Sequence, residues 1–279
     1  MSAPTAPSAP TGSLVGKLLV RGMLAGLIAG LFAFAVAYVA GEPSVNASIA
    51  VEEAAAKAEQ ATAHDHGGGH GAAEEPAEEE EIVSRDMQST AGLATGVLVY
   101  GVALGGIASL AFCFVLGRVG RFTPKATAAL VATAAFTTVY LVPFLKYPAT
   151  PPAVGNPDTI GKRTTLFFLM ILLSVLLGIA AVIAGRRLAP RLGNGNATVV
   201  AGAGFVAAVV IACAVLPAND DAVKPDFPAA VLWDFRLATL GIQAVLWAVF
   251  GLAFGLLAQR LLAPGPAAAQ AVRAATPAA

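Results

Sequence analysis

Long apolar blocks alternate with short polar joints along this chain. Blocks of about 20 or more residues, each long enough to cross a hydrocarbon core of roughly 30 Å, lie near residues 17–40, 90–116, 126–146, 164–185, 198–217 and 236–261. None shows the strict apolar–polar alternation of a membrane barrel strand. A spanning segment must satisfy its backbone polar groups internally, which leaves helices as the solution. The pattern predicts an all-α, polytopic membrane helical bundle of about six transmembrane helices. The bundle proper is expected over residues 17–262. The Pro/Ala/Ser-rich tail 1–16 and the tail 263–279 are expected to be disordered.

One stretch breaks the pattern. Glu42 to Asp86 is polar and holds all three histidines, in the run His64-Asp65-His66-Gly-Gly-Gly-His70. It also holds twelve of the seventeen acidic residues, ending in the run Glu78 to Glu81. This makes 42–89 a long acidic and histidine-bearing loop between the first two spans. Even with this stretch included, the chain is 57% hydrophobic and only 12% charged, which makes a lipid bilayer its expected main partner.

Charge then orients the bundle. With the N-terminus inside, the inner segments carry Lys17, Arg21, Arg118, Arg121, Lys125, Arg186, Arg187, Arg191, Arg260 and Arg273, and no acid. Basic residues favour the cytoplasmic side. Both termini are therefore expected in the cytoplasm and the 42–89 loop outside, in a multi-pass protein of the cell (inner or plasma) membrane. A cleaved signal peptide is the competing reading of the first block. Its apolar run, Gly22 to Ala40, exceeds the usual 7–15 residues, and cleavage would break the charge sorting.

Within this frame several local features stand out. Gly22, Gly26 and Gly30 lie four apart on one helix face, which permits close contact with another helix. Asn46 to Gln60 has good helix propensity and reads as a separate helix at the membrane surface, carrying Glu52 and Glu53. From Ala61 to Glu81 there is no periodicity. The second block carries Gly92, Gly96, Gly101, Gly105 and Gly106, as a helix surrounded by others would. Prolines 143, 148, 151, 152 and 157 exclude regular helix after Pro143. That segment reads either as a rigid rim over an outer entrance or as a stiff loop. Asp158 reads as the N-cap of the fourth span, and Trp233 suits the interfacial belt.

The chemistry on offer is metal binding. Imidazoles and carboxylates together suit divalent transition metals. His64, Asp65, His66 and His70 form the expected capture site, and Glu42, Glu52 and Glu53 would take the ion at the mouth of the bundle. Gln88, Tyr140, Lys146 and Asp158 would form the outer rim. No Asp, Glu or His falls inside an expected span, so an ordinary intramembrane ion relay is missing. Met23, Met170, Cys113, Cys213 and Gln243 are the softer groups available there. There is no phosphate-binding Gly-rich loop, and every histidine sits in the polar loop, away from any credible catalytic grouping. No enzyme activity, bound cofactor or nucleic-acid partner is expected.

Several stretches resemble the CbtA family of cobalt-transporter subunits. They are Gly41-Glu42-Pro43, Ile49-Ala-Val-Glu52-Glu53-Ala, and Val83-Ser-Arg85-Asp-Met-Gln88-Ser89-Thr90-Ala-Gly92. The resemblance continues through Tyr140-Leu-Val-Pro143-Phe-Leu-Lys146-Tyr147-Pro148, Asp158-Thr-Ile-Gly161, Phe227-Pro228 and Trp233-Asp-Phe-Arg236. It implies cobalt uptake linked to cobalamin biosynthesis and a small single-span CbtB-type partner subunit. The expected function is membrane uptake of a divalent metal ion, cobalt above all, captured outside and passed through the helices. The alternatives are a non-transporting scaffold or metal-sensing subunit, or a permease for nickel or another divalent metal.

Overall fold

Small residues fill much of the face that the first helix buries. In the first helix, α1 (Gly12–Val36), one face holds Gly22, Ala25, Gly26, Ala29, Gly30 and Ala33, all buried, while Val20, Leu24, Leu31 and Phe32 are exposed. Large apolar side chains outside and small ones inside is the arrangement lipid permits and water penalises. The computed structural model describes residues 12–65, 84–152, 154–155, 157–219, 223 and 226–263, and all regular structure among them is helical. Five helices are long and apolar enough to cross a membrane, so the chain is a helical multi-pass membrane protein.

Three of these helices carry a turn of π-helix. Residues Ala37–Gly41 form one such turn, and α2 (Glu42–Asp65) continues directly from it. Short α3 (Arg85–Met87) leads through the π-turn Gln88–Gly92 into α4 (Leu93–Val115). Helix α5 (Pro124–Ala135) leads through the π-turn Phe136–Leu141 into α6 (Val142–Lys146). Two of these turns end two residues before a proline, Pro43 and Pro143. A proline ring inside a helix collides with the carbonyl four residues back. The wide turn moves that carbonyl aside, and the helix survives: Glu42 N–H reaches Ala37 O, and Val142 N–H reaches Thr137 O, each five residues back.

Three expectations are corrected, the first two by that device. The Asn46–Gln60 segment is not a separate surface helix but part of a helix running on from α1, and it extends past Ala61 to Asp65. Regular helix does not stop at Pro143 but reaches Lys146. Asp158 does not cap the fourth span; it sits in a 3₁₀ turn Pro157–Thr159, and Thr159 is the N-cap residue of α7 (Ile160–Val215), without a side-chain cap bond.

Helix α7 has 56 residues and is broken at Gly193, whose φ of 75° and ψ of 159° are outside the helical range. Only glycine adopts such angles without strain. The two arms fold back on each other. A Cβ added at Gly185 would lie 3.3 Å from Ala201 Cβ, and one at Gly178 would lie 4.0 Å from the Phe205 ring. The blocks expected at 164–185 and 198–217 fall on these two arms. The last helix is α8 (Ala229–Leu262).

The chain divides into two compact units. The first comprises Met1–Gly30, Val99–Thr133 and Leu246–Ala279. Its centre is a glycine crossing: Gly22 and Gly26 of α1 meet Gly101 and Gly105 of α4 so closely that a Cβ at Gly101 would sit 2.6 Å from Gly26 O. Beside it Phe254 of α8 stacks on Phe250 at 5.4 Å and meets the Phe112 edge at 5.0 Å. Gly251 of α8 lies against Ala132 of α5. The start of α5 is fixed by Thr123, whose Oγ1 accepts from Ala126 N at 3.2 Å, with Pro124 in the first turn.

The second unit comprises Leu31–Leu98 and Ala134–Val245. Here Val142, Tyr147, Leu166 and Met170 form a buried cluster, with Phe205, Val209, Cys213 and Leu216 packed against it. The fully buried Ser174 hydroxyl donates to the carbonyls of Thr138 and Ile171. Gly92, which ends the π-turn, and Gly96, in the first turn of α4, are exposed, unlike Gly101, Gly105 and Gly106 further along α4.

A candidate ion entrance and its proline-rich rim

The site lies in the second unit, where the wide turn 37–41 leads α1 into α2. Beside that turn is an open groove of about 450 Å³. Val36, Ala40 and Ser44 line one side, and Asp234, Leu237, Ala238 and Gly241 of α8 line the other. Small side chains at positions 40, 44, 238 and 241 create the space. Asp234 is the one charged lining residue; it is exposed. Ser44 Oγ donates to Ala40 O at 3.4 Å. Hydroxyl, carbonyl and carboxylate oxygens are what a hard or borderline divalent cation, or its hydration shell, engages.

Close to this groove in sequence, Glu42 makes an ion pair with Arg85. Arg85 also donates to Asn46 Oδ1 from Nη2 at 3.1 Å. The guanidinium thus joins the start of α2 to the start of α3 and neutralises Glu42. Glu53 falls on the same helical face as Glu42 but roughly 16 Å along the axis. Both Glu52 and Glu53 are exposed. Among the described residues no three His, Cys, Asp or Glu side chains converge on a point that could hold a metal.

The proline-rich segment after α6 is held from three directions. Ser48 of α2, fully buried, donates to Pro152 O at 3.5 Å. Arg236 of α8 donates from Nε to Ala149 O at 3.2 Å. The Tyr147 hydroxyl donates to Pro217 O at 2.8 Å, beyond the end of α7. Burial, with a further contribution from Cys213, pushes the Tyr147 phenol up from its ordinary value, so it stays protonated and keeps donating. A proline-rich strap has few conformations to lose, and three bonds from three helices fix it.

The expected rim residues are spread around this strap. Tyr140 stacks between Phe136 (6.2 Å) and Phe144 (5.5 Å). The Lys146 ammonium lies 5.7 Å from the Tyr147 ring centre. Gln88 and Asp158 are exposed. Of the capture loop, His64 and Asp65 belong to the last turn of α2. His66, His70 and the Glu78–Glu81 run lie outside the described residues.

Among the softer groups, Met170 is fully buried in the apolar cluster, and Cys213 packs against that cluster. Cys113 and Cys213 are free thiols. The Gln243 Oε1 atom of α8 is buried with no hydrogen-bond partner among the described residues. Sequence reasoning missed the groove. The available signal was a carboxylate, Asp234, in the second turn of an apolar helix, four residues before a small-residue face.

A family model described as "Probable cobalt transporter subunit (CbtA)" matches residues 15–259. No curated protein and no solved structure matches the chain.

Proposed function

The chain belongs to the CbtA family of probable cobalt transporter subunits, and on that premise we propose that it admits a divalent metal ion, cobalt first, through the Asp234 groove. The observation that carries this reading is the groove itself: one carboxylate set among small residues, beside a wide helical turn. The loop histidines His64, His66 and His70, with Asp65 and Glu78–Glu81, capture the ion outside the membrane. The Asp234 carboxylate then attracts it, and the Ser44 hydroxyl and nearby backbone oxygens take hydrogen bonds from its water shell. A bare charge at mid-membrane costs about 3 kcal/mol even on the mildest scale, so the ion crosses partly hydrated. Glu42 is spent on Arg85 and acts as a strut, not a ligand.

In this reading the proline-rich strap is a fixed rim. A small single-span CbtB-type subunit completes the system in the inner membrane, and the ion serves cobalamin synthesis. The experiment is cellular ⁵⁷Co accumulation with the chain and its small partner expressed together. Asp234→Asn should lower uptake roughly tenfold while the protein level in the membrane is unchanged. Normal uptake by Asp234→Asn removes the entrance from the groove. Equal uptake with and without the chain assigns it instead the role of a scaffold or sensor.

A further inference from the structure

The first unit carries charge of a single sign. Its three segments, 1–30, 99–133 and 246–279, contain seven Lys and Arg residues and no Asp or Glu. Six of the seven are described, and helix packing gathers them at one end. Helix α1 runs antiparallel to α4, with Gly22 against Gly105 and Ser109, and Gly26 against Gly101. Lys17 and Arg21, near the start of α1, therefore fall toward the end of α4, where Arg118 and Arg121 follow. The end of α8 meets the start of α5. There the Gln259 side-chain carbonyl accepts from Lys125 N at 3.4 Å, and a Cβ at Gly255 would lie 3.3 Å from Lys125 Cγ. Arg260 is the next residue of α8 and completes the group.

Lys17, Arg118, Arg121, Lys125 and Arg260 are exposed. Arg21 donates to Lys17 O at 3.2 Å and Arg118 to Phe114 O at 2.8 Å, bonds that neutralise neither charge. Like charges gathered this way repel, and an anion from outside the unit relieves them. The same end also exposes large apolar side chains. Phe114 is 70% exposed and Phe122 51%, and the Arg118 guanidinium lies 5.2 Å from the Phe114 ring centre. A guanidinium fork matches phosphate oxygens, and an exposed ring beside it suits an acyl chain. Free phosphate uses only the first of these; a phospholipid uses both. Clusters of about four to eight Lys and Arg at the ends of membrane helices are the pattern that recruits anionic lipid.

We propose that this end of the first unit is a binding site for an anionic phospholipid. Arg118 and Arg121, in the connection between α4 and α5, hold the phosphate; Lys125 and Arg260 add charge, and Phe114 takes the acyl chain. Orientation in the membrane needs only a count of basic residues on one side, whereas this site needs their convergence. It stands on the geometry of this one unit and holds whether or not the chain carries an ion.

Native mass spectrometry of the full chain, in neutral detergent with equimolar dioleoyl phosphatidylglycerol and dioleoyl phosphatidylcholine, reads the preference. The wild type should retain phosphatidylglycerol over phosphatidylcholine. Arg118→Gln/Arg121→Gln should lower that preference roughly tenfold, while Arg186→Gln/Arg187→Gln, on α7 of the second unit, should leave it unchanged. Equal retention of the two lipids by the wild type, or a preference that survives Arg118→Gln/Arg121→Gln, overturns the proposal. Excess inorganic phosphate should not displace the lipid; displacement would reduce the site to one for free phosphate and refute the lipid assignment. Photo-crosslinking of the wild type with a phosphatidylglycerol carrying a diazirine at its headgroup needs no variant. Label should fall between residues 114 and 125, and its absence from that stretch places the lipid elsewhere.

Discussion

Replacing Gly101 with alanine asks whether α1 and α4 touch backbone to backbone. The added Cβ would lie 2.6 Å from Gly26 O, 3.2 Å from Gly30 Cα and 3.4 Å from Gly30 N. An ordinary C···O contact is about 3.3–3.6 Å, so the helices must part by roughly 0.7 Å there. None of the near atoms is a side chain that could rotate away. A gap of that order forfeits a quarter to a half of each dispersion contact along the seam, and forced overpacking costs typically about 1–3 kcal/mol. Alanine gains back about 0.5–1 kcal/mol in helix propensity, leaving a net loss of about 0.5–2 kcal/mol. Gly16, also on α1, has nothing within 4 Å of an added Cβ, so Gly16→Ala should be neutral or slightly stabilising. Unfolding of both variants in mild detergent, followed by tryptophan fluorescence, gives the comparison. If Gly101→Ala is as stable as Gly16→Ala, the close crossing is refuted.

Other outcomes follow from the second unit. A double-mutant cycle on Glu42→Gln and Arg85→Ala should give a coupling of roughly 1 kcal/mol, since the pair is partly exposed; zero coupling would show that the ends of α2 and α3 are not tied. Tyr147→Phe should lower stability by about 1 kcal/mol through loss of the bond to Pro217 O, and an unchanged melting curve would exclude that bond. For the capture loop, a peptide of residues 60–82 should bind Co²⁺ or Ni²⁺ at pH 7.5 and release it as pH falls through about 6, because protons displace the metal from imidazole. Absence of calorimetric heat at pH 7.5 would remove capture from the loop.

Much of the architecture was legible because membrane burial writes itself into composition. Apolar runs such as 17–40 and 126–146 locate helices whatever their partners, and the Gly22/Gly26/Gly30 spacing pointed to a close crossing. What the one-dimensional pattern could not carry was helix continuity. Pro143 read as a stop because the rule assumes a regular α-helix, whereas a preceding π-turn moves the offending carbonyl. The hairpin between the blocks 164–185 and 198–217 was legible, but not that helix runs on from both blocks right up to a break confined to Gly193. Pairings between distant segments were equally hidden: nothing in the sequence ties Glu42 to Arg85 across 43 positions. Asp234 was in plain view, but its value depends on which small residues stand opposite it, and only the folded chain supplies those.

The three bonds that fix the proline-rich strap have an asymmetry with a genetic consequence. Ser48, Arg236 and Tyr147 donate from side chains, while Pro152, Ala149 and Pro217 accept through main-chain oxygens. A carbonyl is present whatever the side chain at that position. Saturation mutagenesis should therefore be one-sided. The three donor codons should tolerate almost no change, whereas the acceptor codons should admit any residue that fits the local backbone. The strap's anchoring is written in three letters of the sequence rather than six, so half of the structural contact map around it leaves no trace in patterns of covariation.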